Sequence, residues 1–176
     1  MSDFWVFGYG SLMWKPGFDH LRAERALLHG AHRALCVYSW VHRGTQERPG
    51  LVFGLDNGGT CSGMAYQVAE ENWPQTLDYL RAREQVTMVY KEHWHHIDLH
   101  NGKKVEALVY MVDHSHPQYA GALPLEKQLD IVTGAAGQSG ANPEYVLNTA
   151  AHLEEMGIAD TALAWLAERL KGGGKM

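Results

Sequence analysis

Cysteine is nearly absent from this chain. Only Cys36 and Cys61 occur among its 176 residues, in no CxxC spacing and each within a strand-like apolar run. That excludes a disulfide framework and a cysteine-based redox or zinc motif. The expectation is two reduced, buried core thiols in a cytoplasmic protein. Long apolar runs are missing as well. None approaches the roughly 20 residues needed to cross a bilayer, and Met1-Ser-Asp-Phe4 lacks the basic-then-apolar layout of a signal peptide. No membrane partner is therefore expected. Positive charge is sparse and scattered: 15 Lys and Arg stand against 20 Asp and Glu, for a net charge of −5 and a pI near 6.1. This balance disfavours nucleic acid as a partner. No internal repeat or low-complexity linker precedes Gly172-Gly173-Gly174, so a single domain over 1–171 with a flexible tail at 172–176 is expected.

What the chain does have is aromatic residues and histidine: six Trp, eight Tyr and eleven His. Apolar, aromatic stretches at Phe4–Phe7, Arg33–Val41, Leu51–Leu55 and Cys61–Val68 read as strands. Asp56-Asn57-Gly58-Gly59 is a turn signal, which predicts a hairpin over 51–68. Trp73 to about Arg83 reads as a helix with Pro74 in its first turn. Strands return at His93–Leu99 and Val105–Val112, joined by His100-Asn101-Gly102. Three helices follow: Leu125–Thr133; Asn142–Met156, with Asn142 as N-cap and Pro143 at the first helical position; and Asp160 to about Leu170. Hairpins early and helices late predict an α+β fold, a mostly antiparallel sheet or small barrel with helices packed around it.

The first strand runs straight into Gly8-Tyr9-Gly10-Ser11-Leu12. Two glycines one residue apart permit positive φ and close backbone approach, and successive N–H groups in such a turn can form an anion-binding nest. A dinucleotide fingerprint would need a third glycine where Met13 stands and a helix directly afterwards, whereas Pro16 biases Lys15 towards extended geometry. A P-loop would need Gly-Lys-Ser/Thr, also absent. A carboxylate is thus as good a guest as a phosphate.

Glu84 breaks the helical pattern. Trp73, Leu77 and Leu80 share one helix face, and the next position on that face is Glu84. Burial there would raise its pKa, and the negative end of the helix would add to the rise, while Arg81 could oppose both by pairing. A carboxyl so placed suits general acid/base work near neutral pH. The alternative is a helix that has already turned, leaving Glu84 solvated or paired with Arg81. His93 and His95 fall on one side of a strand and His96 on the other, and no third ligand at a recognisable spacing accompanies them, so no metal site is expected. Ser11 has no Gly-x-Ser-x-Gly context that would mark it as a nucleophile. The polar stretch from His42 to Gly50 reads equally as the rim of a pocket or as a surface connection.

Taken together, Phe7-Gly-Tyr-Gly-Ser-Leu-Met-Trp-Lys-Pro-Gly-Phe18 resembles the opening signature of the ChaC-like gamma-glutamylcyclotransferases. Later pieces resemble that family in the same order: His42-Arg-Gly-Thr45 with Pro49-Gly50, Gly63-Met-Ala-Tyr66, Tyr79-Leu80 leading to Arg83-Glu84, and Tyr119 leading to Leu123-Pro-Leu125. Gly137-Gln-Ser-Gly140 with Asn142-Pro-Glu-Tyr145 completes the series. The resemblance implies a small mixed barrel with surrounding helices and cleavage of glutathione to 5-oxoproline and cysteinylglycine, with no cofactor. It implies that Gly8, Tyr9, Gly10, Ser11 and Leu12 hold the gamma-glutamyl group, that Glu84 is the catalytic acid/base, and that Tyr145 is a pocket residue. Where many members have glycines after the Arg-Glu pair, this chain has Gln85-Val86-Thr87-Met88-Val89. Two other readings stay open: a cyclotransferase for other gamma-glutamyl peptides or amines, and a non-catalytic protein binding a small anion.

Overall fold

A computed structural model describes residues 4–84 and 89–173. The elements run β1 (Phe4–Gly8), a 3-10 turn (Ser11–Met13), β2 (Arg22–Ser39), β3 (Gly50–Val68), a second 3-10 turn (Glu70–Asn72) and α1 (Trp73–Glu84). Then come β4 (Tyr90–Leu99), β5 (Lys104–Val112), α2 (Leu125–Gly134) and the two-residue strands β6 (Ala136–Gly137) and β7 (Gly140–Ala141). The chain finishes with α3 (Asn142–Glu155) and α4 (Thr161–Gly173). The five long strands close into a barrel in the order β1-β3-β2-β4-β5. β1 pairs with β3, β2 with β4 and β4 with β5 antiparallel, and β5 returns parallel beside β1, with Trp5 opposite Ala107 and Val6 opposite Leu108. This is the expected α+β mixed barrel. Among the described residues no helix is long and apolar enough to cross a membrane.

Contacts divide the chain into two compact units, Met1–Ala34 with Gly54–His116, and Leu35–Phe53 with Pro117–Met176. In the first, strand alternation sends Val6, Val68, Leu108 and Tyr110 to one face, where they are buried together with Leu12 and Leu80. The apolar stripe of α1 covers them: Leu80 is fully buried, and Trp73 and Leu77 pack against the cluster. The helix exists because this stripe has a face to bury.

In the second unit α2, α3 and α4 pack on one another through Val132, Val146, Leu153, Leu163 and Leu166. Asn142 departs from expectation here. Ala141 occupies the N-cap position of α3 with no side-chain cap bond, and Asn142 is fully buried. Its Oδ1 accepts the Leu51 N–H at 2.8 Å and its Nδ2 donates to the Leu51 carbonyl at 2.9 Å. The side-chain amide thus does for Leu51 what a neighbouring strand would do. A Cβ on the adjacent Gly50 would lie 2.7 Å from Asn142 Oδ1, which is why glycine precedes Leu51. A side-chain cap is found at α4, where Asp160 Oδ1 accepts the Leu163 N–H at 3.0 Å.

Two strand expectations are corrected. The stretch 51–68 is one continuous strand, β3, with no hairpin turn in it. Gly58 and Gly59 do take positive φ, 94° and 74°, but His32 on β2 lies alongside, its Nδ1 2.9 Å from the Gly58 carbonyl. The glycine pair therefore marks an irregular step inside a paired strand. β2 begins at Arg22, well before the expected Arg33. Its first part is polar and largely exposed on one side, which hid it from a search for apolar runs.

Candidate functional site

β1 ends at Gly8, and the next residues fold at once into the 3-10 turn: the Met13 N–H donates to the Gly10 carbonyl at 2.9 Å and the Lys15 N–H to that of Ser11 at 2.8 Å. Positive φ is not the reason for the glycines, since neither Gly8 nor Gly10 adopts it. Gly8 is required by close approach, because a Cβ there would lie 2.8 Å from Leu12 Cβ. At Gly10 a Cβ would meet nothing within 4 Å, so that side of the turn is open. The N–H groups of Ser11 and Leu12 have no acceptor inside the turn itself, as for the first residues of any helical turn.

Three side chains from other elements grip this turn. Arg33, on β2, donates from Nε to the Tyr9 carbonyl and from Nη2 to the Ser62 carbonyl, both at 2.7 Å. Tyr66, on β3, donates its hydroxyl to the Met13 carbonyl at 2.6 Å. Burial pushes the Tyr66 phenol up to about 12, with the Arg83 charge pulling the other way, so it remains a donor at ordinary pH. Arg83, in the last turn of α1, reaches furthest. Its Nη1 donates to the carbonyls of Lys15 at 2.7 Å and Pro16 at 3.0 Å and to the Tyr79 hydroxyl at 3.0 Å. Its Nη2 donates to Ser11 Oγ at 2.7 Å. A guanidinium presents donors in a fixed fork, so these bonds fix the end of α1 against the turn.

Glu84 is the residue directly after Arg83 and closes α1. Its side chain, and residues 85–88, lie outside the described residues. Arg81, the partner considered for it, donates to Glu92, Nε to Oε2 at 2.8 Å and Nη2 to Oε1 at 3.0 Å. The Arg81 hydrogen bond holds the Glu92 carboxyl below its usual range against the effect of burial, helped by a bond from the Tyr110 hydroxyl at 2.8 Å. Ser11 has a guanidinium beside its Oγ. That group donates and cannot accept, so Arg83 cannot serve as the base a serine nucleophile needs.

Tyr145 belongs to the second unit. Its hydroxyl accepts the Phe53 N–H at 3.0 Å, and the Arg43 guanidinium stands 5.5 Å from its ring centroid. The His42–Gly50 stretch is tied down within that unit: His42 Nδ1 bonds Ser139 Oγ at 2.8 Å and Arg43 Nη1 bonds the Ala141 carbonyl at 3.1 Å. On β4 the rings of His93 and His95 lie 5.9 Å apart on one face. Burial, and then the His93 charge, lowers the His95 pKa. Among the described residues no three His, Cys, Asp or Glu side chains gather as a metal site would require.

The arrangement offers hydrogen-bond donors beside an open turn and, one residue beyond a guanidinium clamp, a helix ending in a carboxylic residue. A turn with N–H groups left over is a place where an anionic group can be held. Arg33, Arg83 and Tyr66 are the contributions that a reading by residue type missed. Arg83 and Tyr66 lie inside recognisable motifs, but their hydrogen bonds join residues dozens of positions apart, which no spacing rule reports.

Residues 4–172 match a family described as ChaC-like protein. A glutathione-specific gamma-glutamylcyclotransferase of Escherichia coli is 35% identical over 159 residues, covering 90% of this chain and 69% of the relative. Glutathione-specific gamma-glutamylcyclotransferase 1 of Homo sapiens is 34% identical over 157 residues, 87% of this chain and 71% of the relative. The crystal structure of a yeast gamma-glutamyl cyclotransferase specific to glutathione superposes with a TM-score of 0.84 at 24% identity, over 98% of this chain and 97% of that one.

Proposed function

The chain belongs to the ChaC-like family, and from that premise we propose that residues 1–171 act as one domain that cleaves glutathione to 5-oxoproline and cysteinylglycine. The observation that carries this reading is the Arg83 clamp. It joins the open glycine turn to the helix end that Glu84 completes, so the anion holder and the proton carrier belong to one site.

In this reading the substrate's α-amine attacks its own γ-carbonyl carbon. A five-membered ring closes, the C–N bond to the cysteinyl nitrogen breaks, and no enzyme nucleophile, water or metal is needed. Glu84 takes a proton from the α-ammonium and delivers one to the departing amine. Backbone N–H groups of the Gly8–Leu12 turn hold the α-carboxylate and with it the folded conformer from which the amine can reach the carbonyl. Fixing such a conformer is worth about 7–11 kcal/mol in favourable intramolecular reactions. The chain's two cysteines, Cys36 and Cys61, are both buried, and so small a cysteine content suits the reducing cytoplasm as the place of action.

The test is to incubate the purified protein with glutathione and follow 5-oxoproline and cysteinylglycine, alongside Glu84→Gln. The wild type is expected to form both products. The variant should still bind glutathione but lose turnover by about 100-fold or more, the usual contribution of a positioned proton carrier. A well-folded Gln variant with near wild-type turnover would refute the role of Glu84. Faster turnover of gamma-glutamyl-alanine than of glutathione would move the substrate to other gamma-glutamyl peptides.

A further inference from the structure

Resting on the cyclotransferase reading, the geometry assigns a catalytic task to the Ser11 hydroxyl: it donates a hydrogen bond to the oxyanion that forms on the γ-carbonyl, and Arg83 is the positioning residue that aims it. A hydroxyl has one hydrogen to give and lone pairs to receive with. Arg83 Nη2 lies 2.7 Å from Ser11 Oγ, and a guanidinium has only donors, so in this bond Ser11 must accept. Its own hydrogen is therefore directed elsewhere, and among the described residues it meets no acceptor. Ser11 itself is exposed, and the neighbouring Gly10 leaves open space where a side chain would stand.

Arg83 cannot swing aside. A second guanidinium nitrogen, Nη1, is engaged by the Lys15 and Pro16 carbonyls and the Tyr79 hydroxyl. Accepting from a cation makes a hydroxyl a stronger donor in turn, since bonds in a chain polarise one another. The oxyanion is favoured over the α-carboxylate as its target by the position of Arg83 in the chain. In this reading Glu84 serves both the nitrogen that attacks the γ-carbonyl carbon and the one that leaves it, and its chain neighbour Arg83 is hydrogen-bonded to Ser11. Of the groups in the turn, Ser11 Oγ is thus the one tied to the end of the helix where the reacting carbon must sit. No bond to Ser11 forms or breaks; the hydroxyl keeps its proton throughout. A donor aimed at charge that develops only in the transition state acts on kcat, whereas a donor to the carboxylate acts on ground-state binding.

The experiment compares the wild type with Ser11→Ala, Ser11→Thr, Arg83→Lys and the Ser11→Ala/Arg83→Lys pair in steady-state glutathione turnover, each first checked for folding by thermal melting. Removal of one oxyanion donor typically costs about 100- to 1,000-fold in kcat. Ser11→Ala should therefore lose kcat on that scale with KM within about twofold. Ser11→Thr, which keeps the hydroxyl, should recover most of it. Arg83→Lys should lose kcat less than additively when combined with Ser11→Ala, because the two act through one hydroxyl. A Ser11→Ala variant with wild-type kcat, or with only its KM raised, overturns the assignment. So does full additivity of the pair. Wild-type protein that forms no 5-oxoproline from any gamma-glutamyl substrate overturns the cyclotransferase reading beneath it, a separate outcome read before any variant.

Discussion

Asn142→Asp tests the structure where sequence rules and tertiary contacts disagree most sharply. If Asn142 were a helix cap, aspartate would serve as well, because Asn and Asp rank alike there, and alanine would cost about 1 kcal/mol. In the structure its amide instead satisfies both backbone groups of the fully buried Leu51, at 2.8 and 2.9 Å. Alanine leaves a buried N–H and a buried C=O without partners, at about 1–3 kcal/mol each. The sum is about 2–6 kcal/mol, or a Tm fall of roughly 5–20 °C for a chain of this length. Aspartate can still accept from the N–H but faces the carbonyl with a second acceptor. The buried carboxylate avoids this by staying protonated, so its folded-state pKa rises. A pKa raised on folding contributes stability at low pH that is lost as pH increases. Asn142→Asp should accordingly be close to wild type in acid and lose stability towards neutral pH. Urea unfolding followed by tryptophan fluorescence across that range measures it. A neutral-pH aspartate variant within about 0.5 kcal/mol of wild type, with alanine costing no more than a cap, would refute the bridging role.

The remaining predictions concern the ionisable groups that support the site. The Tyr66 phenol, at about 12 in the folded protein against an ordinary 10, keeps its proton where the unfolded chain has lost it. Stability is therefore full below pH 10 and falls between pH 10 and 12. Tyr66→Phe should flatten that window in pH-dependent thermal melts and cost about 1–3 kcal/mol throughout, because the Met13 carbonyl loses its donor; parallel alkaline slopes in both proteins would contradict it. Glu92, held below its ordinary 4.5 first by the Arg81 hydrogen bond, contributes stability that is present above that value and lost as pH falls through the folded one. Glu92→Gln should make the acid limb of the stability curve shallower, and an unchanged limb would show that the pair is not coupled to folding.

The clamp gives the glycine turn a meaning that it lacks in isolation. A Gly-x-Gly after a strand has many uses, and its hydrogen bonds to Arg33, Tyr66 and Arg83 tie three separate elements to this one. Each bond ends on a backbone carbonyl or a hydroxyl of the turn, so the turn's N–H groups can face outward. The turn is held in place by donors to its carbonyls and to the Ser11 hydroxyl.

Periodicity alone determined the helices, because burial of Trp73, Leu77 and Leu80 is a local pattern written at helical spacing. The turn-and-strand alternation likewise determined the mixed α+β class, and the run of motifs from Phe7 to Tyr145 determined the family. What the tertiary structure decided has another character. That Asp56-Asn57-Gly58-Gly59 lies inside β3 depends on β2 passing beside it with His32. That Asn142 bridges Leu51 rather than capping α3 depends on a strand edge 91 residues away. That Arg83 joins the glycine turn to the helix end depends on β3 pairing with β1 and α1 packing against Leu12, which bring together residues 72 positions apart. Spacing in sequence reports local geometry, since a helix or strand repeats at a fixed interval. A hydrogen bond between distant residues has no such interval, and only packing of the elements decides which donor meets which acceptor.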